Sequence, residues 1–421
     1  MRRLIGTLPI VAVVLLAFAR TSAAQGIAHS GSIVVPQSSV ERVEDTGVRA
    51  HTNIVLKAIH GSLEQGRSQA FVVGAQPFTG IGYFETPASL GCVYHLVSAI
   101  VAGCNPNTVT AVPKGGSRTI AIVDAYDAPN ALADLTTFCL QFGLPVPTNF
   151  QVVYAASDGS MTTTPPPYDP GWEVEISLDV QWAHAMAPGA RIILVEAVSN
   201  ASADLLGAVK LANNLVAAAG GGEVSMSWGS GEFSAESQLD SAYFSTPGIV
   251  YFAATGDSPG TEWPSVSANV VAVGGTSVSR DPSSGAFIGE AAWGDGGGGV
   301  SEFIPKPSYQ SSVKKLGSIY FRGVPDIAAV ANPRTGVWVY ISNALGWNVI
   351  GGTSVATPVV AGLVNNTGHF NTSSNAELTA YYKTPAQFSD VVQGICGPST
   401  GYWAAAAWDF CTGLGSPVKR Q

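Results

Sequence analysis

Charge is what this 421-residue chain has least of. Asp, Glu, Lys and Arg make up 12% of it, about half of the ~25% usual in soluble domains. The shortage is greatest for cations: 20 Lys and Arg stand against 29 Asp and Glu, for a net charge of −9. No patch of Lys and Arg is present, so nothing indicates a nucleic-acid partner. A chain with few cations also has little to repel itself when acid neutralises its carboxylates. The six histidines, His29, His51, His60, His95, His184 and His369, include none in an "HGTH"-like setting. There is no CxxC pair and no HExxH, so no zinc motif is legible. Beyond the first two dozen residues no run has the length and apolarity of a membrane span.

Apolar residues are abundant, at 46%, enough for a substantial core and against disorder. The opening "MRRLIGTLPIVAVVLLAFARTSAAQG" sets Arg2 and Arg3 before an apolar run and then small residues. This is the pattern of a signal peptide over residues 1–24. Read as a membrane anchor, the apolar stretch is short and contains Pro9. Five cysteines suit an exported chain: Cys92 lies near Cys104 and Cys396 near Cys411. Two local disulfides would leave Cys139, within the helical spacing of "LADLTTFCLQFG", as a buried thiol; spacing alone does not fix the connectivity.

Residues 25 to about 85 are polar and irregular, a short pro-segment or N-terminal arm. From residue 86 the text alternates. "RTIAIVDAYDAPN" reads as a buried strand, "ALADLTTFCLQFG" as a helix, and "GWEVEISLDVQWAHAMAPGA" as a helix stopped by Pro188–Gly189. "RIILVEA" is a strand and "ADLLGAVKLANNLVAAAGGG" a helix; "EVSMSWGS", "IVYFAATGD" and "VVAVGGTSV" are strands ending in Gly-rich loops. Such alternation predicts an α/β fold, a mainly parallel sheet covered on both faces. Ligands then bind beyond the carboxyl ends of the strands, where Asp124, Trp228 and Asp257 fall.

The stretch "GGTSVATP" puts Ser354 after a Gly–Gly turn, at the start of an apolar helix carrying Pro358. Unpaired backbone N–H groups there can hold an anion; a plain structural cap is the competing reading. A serine hydroxyl needs a base. His184, on the apolar face of "QWAHAMAP", reads as a core or helix-end histidine. Carboxylates are the alternative. Glu175 and Asp179 are four apart and share a helix face, and their apolar neighbours Ile176, Leu178, Val180 and Trp182 argue for an enclosed helix. Paired in a crevice, one carboxyl retains a proton while the other can accept one. Glu173 is six from Asp179 and off that face. Asp257 ends the strand of "FAATGD"; an aspartate there donates to a developing oxyanion only when protonated, which would confine the chemistry to acid. Losing one such donor typically costs about 10²–10³-fold in rate.

Taken in order, "EISLD", "SMSWG", "ATGD", "VPDIAAVANPRTG", "GGTSVATP" and "WDFCTGLGSP" resemble the sedolisin family, serine-carboxyl peptidases with a subtilisin-like fold, from about Glu85 to Pro417. The resemblance implies a three-layer α/β peptidase domain over 86–421, with Ser354 as nucleophile, Glu175 as general base, Asp179 as its orienter and Asp257 as oxyanion donor. Asp124 falls where the family often carries a further acidic group, and Trp228 at the substrate cleft. It also implies one calcium ion, held through Asp390–Val391 and a later loop ending at Asp409. Ala405 and Ala407 stand where the family has glycines, and any position there with φ > 0 would disfavour alanine. The family usually carries a large folded pro-domain; here only about sixty residues lie between the signal and the match. The expectation is a secreted, monomeric, acid-active endopeptidase acting on peptides or proteins. Two other readings stand beside it: a Ser-His-Asp hydrolase using Asp124 and a histidine, and a catalytically silent secreted binding protein on the same fold.

Overall fold

The computed structural model describes residues 27–29, 33–57, 82–97, 103–344, 346–397 and 401–418; the signal-peptide reading lies outside them. The expected alternation of strands and helices is present. Eight strands run across the central sheet in the order Phe287–Ala292, Val271–Arg280, Ile249–Ala254, Gly222–Met226, Thr119–Ala125, Arg191–Ala197, Phe150–Ala155 and Met161–Thr162. The inner pairings are parallel, and Ile327–Val330 adds a further parallel partner to Val271–Arg280. The edge strands Phe287–Ala292 and Met161–Thr162 are antiparallel.

Side-chain alternation along the strands divides the core into two faces. Ile120, Ile122, Ile192, Leu194 and Phe252 join one apolar cluster with the helices Pro170–Met186 and Thr353–Thr367. Ala121, Val123, Ile193, Val195 and Tyr251 join the other with the helix Ser202–Ala218. The result is the three-layer arrangement expected. Both cysteine pairs form disulfides, Cys92–Cys104 and Cys396–Cys411, and Cys139 is a buried free thiol.

Two helices carry the key side chains. Pro170–Met186 starts where the Asp169 carboxylate accepts hydrogen bonds from the Gly171 and Trp172 amides, with Pro170 in the first position. Every residue from Gly171 to Met186 is buried, so this helix is enclosed rather than amphipathic. It packs against Thr353–Thr367, and the approach requires glycine at 362, where an added Cβ would come within 2.7 Å of the Met186 Cβ and 2.9 Å of the Ala183 carbonyl.

Two stretches differ from the sequence expectation. "EVSMSWGS" is two strands, Gly222–Met226 and Trp228–Gly231, broken at Ser227 so that the second leaves the central sheet. The N-terminal arm, polar in sequence, forms short strands that pair with the catalytic body: His51–Thr52 antiparallel to Trp228–Gly231, and Val55–Lys57 antiparallel to Gly346–Gly351.

The sheet and its helices bury acids with few cations. Burial pushes the carboxyls of Glu196 and Glu236 up to about 9, and those of Glu223 and Asp124 up to about 8. A raised carboxyl means that the folded chain holds protons the unfolded chain, with carboxyls near ~4, would release. The stabilisation is therefore complete below about pH 4 and is lost as pH rises through about 8–9. Melting temperature should be highest in acid and fall steadily from pH 4 to pH 8. A curve flat or rising over that range, measured by calorimetry at constant ionic strength, would contradict this.

Candidate active site

Ser354 lies at the start of its helix, fully buried, after Gly352. Its Oγ is 3.0 Å from Glu175 Oε2 and 3.0 Å from the Ser227 carbonyl. The hydroxyl therefore has two acceptors, one a carboxylate and neither a histidine. Among the described residues no histidine hydrogen-bonds to Ser354. His184 Nε2 instead lies 2.8 Å from the Pro145 carbonyl, the structural role its apolar face suggested. Glu173 is tied to Tyr168 and Asn343 rather than to Ser354.

Glu175, Asp179 and Asp124 form a buried set of acids. All three have no exposure, and Glu175 Oε1, Asp179 Oδ2 and both Asp124 oxygens have no hydrogen-bond partner. Burial raises the Glu175 carboxyl well above its usual range, and the charges of Asp179 and Asp124 raise it further. Asp179 is raised by burial and then by Asp124, and lowered by the Ser227 hydroxyl, which donates to its Oδ1 at 2.9 Å. Three carboxylates so close cannot all ionise without cations, so the set retains protons well above pH 4. The short strand break at Ser227 is what turns this hydroxyl inward. The same Oγ lies 3.3 Å from the Ser354 carbonyl, an acceptor left free because Pro358, four residues on, has no N–H.

Asp257 sits across the turn. Its Oδ1 accepts from the Thr353 amide at 2.7 Å and the Thr353 hydroxyl at 2.9 Å, while Oδ2 is buried and unpartnered. Burial raises its carboxyl well above the usual range, against the lowering effect of the Thr353 bonds. With both donors on Oδ1, the proton belongs on Oδ2. All four sequence-predicted residues, Ser354, Glu175, Asp179 and Asp257, thus fall around one turn, with Asp124 behind them. Trp228 differs in detail: its side chain is core, donating from Nε1 to the Val123 carbonyl at 2.8 Å, and its backbone pairs with Thr52 of the arm.

Sequence reading named a pro-segment or N-terminal arm but not where it lies. Asn53 lies against Ser354: its amide donates to Ser354 Oγ at 3.1 Å, and its carbonyl accepts from the Ser354 amide at 3.1 Å. Asn53 Nδ2 donates to Glu262 Oε2 at 3.3 Å. On either side of Asn53–Ile54 the arm pairs as a strand, with register Thr52↔Trp228 before it and Val55↔Gly351 after it. The arm reads as polar and irregular in sequence, and nothing local pointed to a partner about three hundred residues away.

The expected calcium ligands also converge. The Ala405 amide donates to Asp409 Oδ2 at 2.8 Å and the Ala407 amide to Asp390 Oδ2 at 2.9 Å, so one three-residue turn touches both carboxylates. Val391 is buried beside them and Ala407 adopts φ 62°, a left-handed conformation costing alanine about 1–2 kcal/mol. Two carboxylates and nearby carbonyls are the hard-oxygen set calcium takes, and these residues fit it. The Cys396–Cys411 disulfide closes the same loop.

Comparison with known proteins bears on the fold and the family. The model of the subtilase family matches residues 174–397. Kumamolisin of Bacillus sp. (strain MN-32) is 33% identical over 349 residues, covering 72% of this chain and 59% of that protein. Sedolisin of Pseudomonas sp. (strain 101) is 36% identical over 177 residues, covering 38% of this chain and 29% of that protein. The chain thus spans about six tenths of the length of kumamolisin and under a third of that of sedolisin. A solved structure of Pseudomonas sedolisin, a serine-carboxyl proteinase complexed with two molecules of pseudo-iodotyrostatin, superposes with a TM-score of 0.66 at 26% identity, covering 80% of this chain and 96% of that one.

The turn before Ser354 is built on Gly352, at φ 113°. A Cβ there would meet the Asn53 carbonyl and, at 2.6 Å, Asp257 Oδ2. Gly352→Ala should destabilise the protein by about 1–3 kcal/mol from backbone strain alone, with more from these contacts, as read by denaturant unfolding of the Ser354→Ala protein. Unchanged stability would mean the turn is not built in this way.

Proposed function

The chain belongs to the sedolisin family of subtilisin-like serine-carboxyl peptidases, and from that premise we propose that it is a secreted, acid-active endopeptidase. The observation that carries the reading is the 3.0 Å contact of Ser354 Oγ with Glu175 Oε2 in a buried site of acids. Ser354 attacks the peptide carbonyl as Glu175 takes its proton; Asp179, fixed by Ser227, holds Glu175 in charge balance. The developing oxyanion lies between the Ser354 amide and the protonated Asp257. Glu175 then passes the proton to the leaving amine, and water releases the acyl group by the reverse path. The Asn53 carbonyl accepts from the Ser354 amide as a substrate carbonyl would, which supports reading residues 25 to about 85 as a pro-segment that blocks the cleft.

Calcium, bound by Asp390, Asp409 and the carbonyls of Val391, Ala405 and Ala407, would neutralise two carboxylates and tie the C-terminal loop. The silent-binding reading finds no support in a site whose serine already donates to a buried carboxylate.

Three outcomes test this account. Ser354→Ala and Glu175→Gln should each abolish cleavage of a peptide library while the fold persists; near-normal turnover in either would overturn the assignment. Activity of the mature enzyme should peak in acid and fall as Asp257 ionises, because its carboxylate would repel the oxyanion. In Asp257→Asn, whose amide donates at any pH, the alkaline limb should move to higher pH even if peak activity drops, and a limb that stays put would remove Asp257 from the oxyanion site. A calcium-selective chelator should lower the melting temperature of the wild-type protein and leave Asp409→Ala unaffected; no change in either would exclude the calcium loop.

A further inference from the structure

A second cluster of ligand-type side chains lies at the edge of the cleft, and the mechanism does not use it. Glu41, His51 and Glu262 each place one ligand atom within 4.8 Å of the others. Glu41 and His51 belong to the arm. Glu262 belongs to the catalytic body, on the strand Glu262–Trp263 that pairs with Trp228–Gly231 on the side opposite His51–Thr52.

The chemistry of the cluster is particular. His51 is 9% exposed. Its Nδ1 lies 3.3 Å from the Thr52 carbonyl; a carbonyl only accepts, so Nδ1 carries the hydrogen. In the neutral ring this leaves a lone pair on Nε2, the tautomer a metal-binding histidine adopts when its other nitrogen is held by a backbone carbonyl. That Nε2 is buried, has no hydrogen-bond partner and lies 3.7 Å from Glu262 Oε1. Glu262 is 4% exposed; burial raises its carboxyl above the usual range, against the lowering effect of His51, and the charge of Glu41 raises it further. Two carboxylates facing one imidazole leave a net charge of −1 even with the ring protonated. A dication with a neutral ring brings the site to zero.

We propose that Glu41, His51 and Glu262 bind one divalent transition-metal ion of the zinc type, and that this ion latches the arm over Ser354. One imidazole and two carboxylates make a three-ligand zinc set with a fourth position open; calcium, with its six to eight oxygen ligands, would find too few. Zinc–ligand distances of about 2.0–2.2 Å require the ligand atoms to close to roughly 3.3–3.6 Å. The movement falls mainly to Glu41, an exposed side chain held among the described residues by a 3.4 Å hydrogen bond from Ser258 Oγ. Because Asn53 is two residues from His51 and touches Ser354, an ion joining the arm to the body through His51 and Glu262 stabilises the covered cleft by its own binding free energy. The latch is a regulatory role resting on the peptidase reading; the metal site does not depend on it.

The test uses the full chain with Ser354→Ala, which cannot cut its own arm, titrated with zinc chloride in a calorimeter with calcium present. One zinc should bind per chain, and His51→Ala and Glu262→Gln should each weaken it at least about tenfold. Glu41→Gln alters only an exposed side chain and should weaken it too in a fully folded protein. Zinc bound equally by all three variants, or no zinc bound by the parent, overturns the site. In the active chain, zinc should slow appearance of peptidase activity and a zinc chelator should hasten it. If zinc binds as expected but leaves that time course unchanged, the latch is overturned. If the chain never becomes active under any condition, the peptidase reading fails while the zinc titration still decides the site.

Discussion

Everything in the active centre depends on burying carboxyl groups without cations. Glu175, Asp179 and Asp124 are fully enclosed and Asp257 is half-buried, and among the described residues none is paired with Lys or Arg. Isolated buried carboxylates are too costly to remain charged, so they hold protons. That constraint supplies both halves of the chemistry. An acid that keeps its proton at Asp257 can donate to an oxyanion, and a carboxylate at Glu175, raised by its neighbours, becomes a base strong enough to serve a hydroxyl 3.0 Å away. A histidine would be protonated, and so unable to act as the base, in the acid range where Asp257 keeps its proton, so the two designs exclude one another. The same constraint extends beyond the site, to Glu196, Glu223 and Glu236, and accounts for a composition so poor in cations.

The scaffold places these acids by close approach of two enclosed helices. Gly362 lets Thr353–Thr367 lie against Pro170–Met186, Pro358 frees the Ser354 carbonyl, and the strand break at Ser227 turns a hydroxyl onto Asp179. Each device is a single residue whose side chain, or lack of one, sets the distance between a serine and an acid. The arm then completes the surface of the cleft. Its strands pair on both sides of Asn53–Ile54, so the covered state gains backbone hydrogen bonds along two edges.

Much of this was legible in the sequence, for physical reasons. The central strands are apolar runs bounded by glycine, and the helix Pro170–Met186 begins with a capping aspartate and a proline, so local rules agree with the fold. Glu175 and Asp179 share a helix face by spacing alone, and Ser354 follows a Gly–Gly turn. What escaped is long-range. Residues 33–57 are short, polar and irregular, and their conformation is set by edges of the catalytic body rather than by their own propensities. Ser227 looked like one more strand residue because a break in pairing leaves no mark in composition. His51, set aside for lacking a familiar motif, gains its meaning only from Glu262, more than two hundred residues away.

The central claim is that protonated, buried carboxyls rather than a histidine run the site. Infrared spectroscopy of the carboxyl C=O stretch during a pH titration reads those protons directly. The account predicts a neutral-carboxyl band that persists well above the ordinary range near pH 4 and loses intensity in both Glu175→Gln and Asp257→Asn. Complete ionisation of all carboxyls in the ordinary range, with no band changed by either substitution, would contradict it.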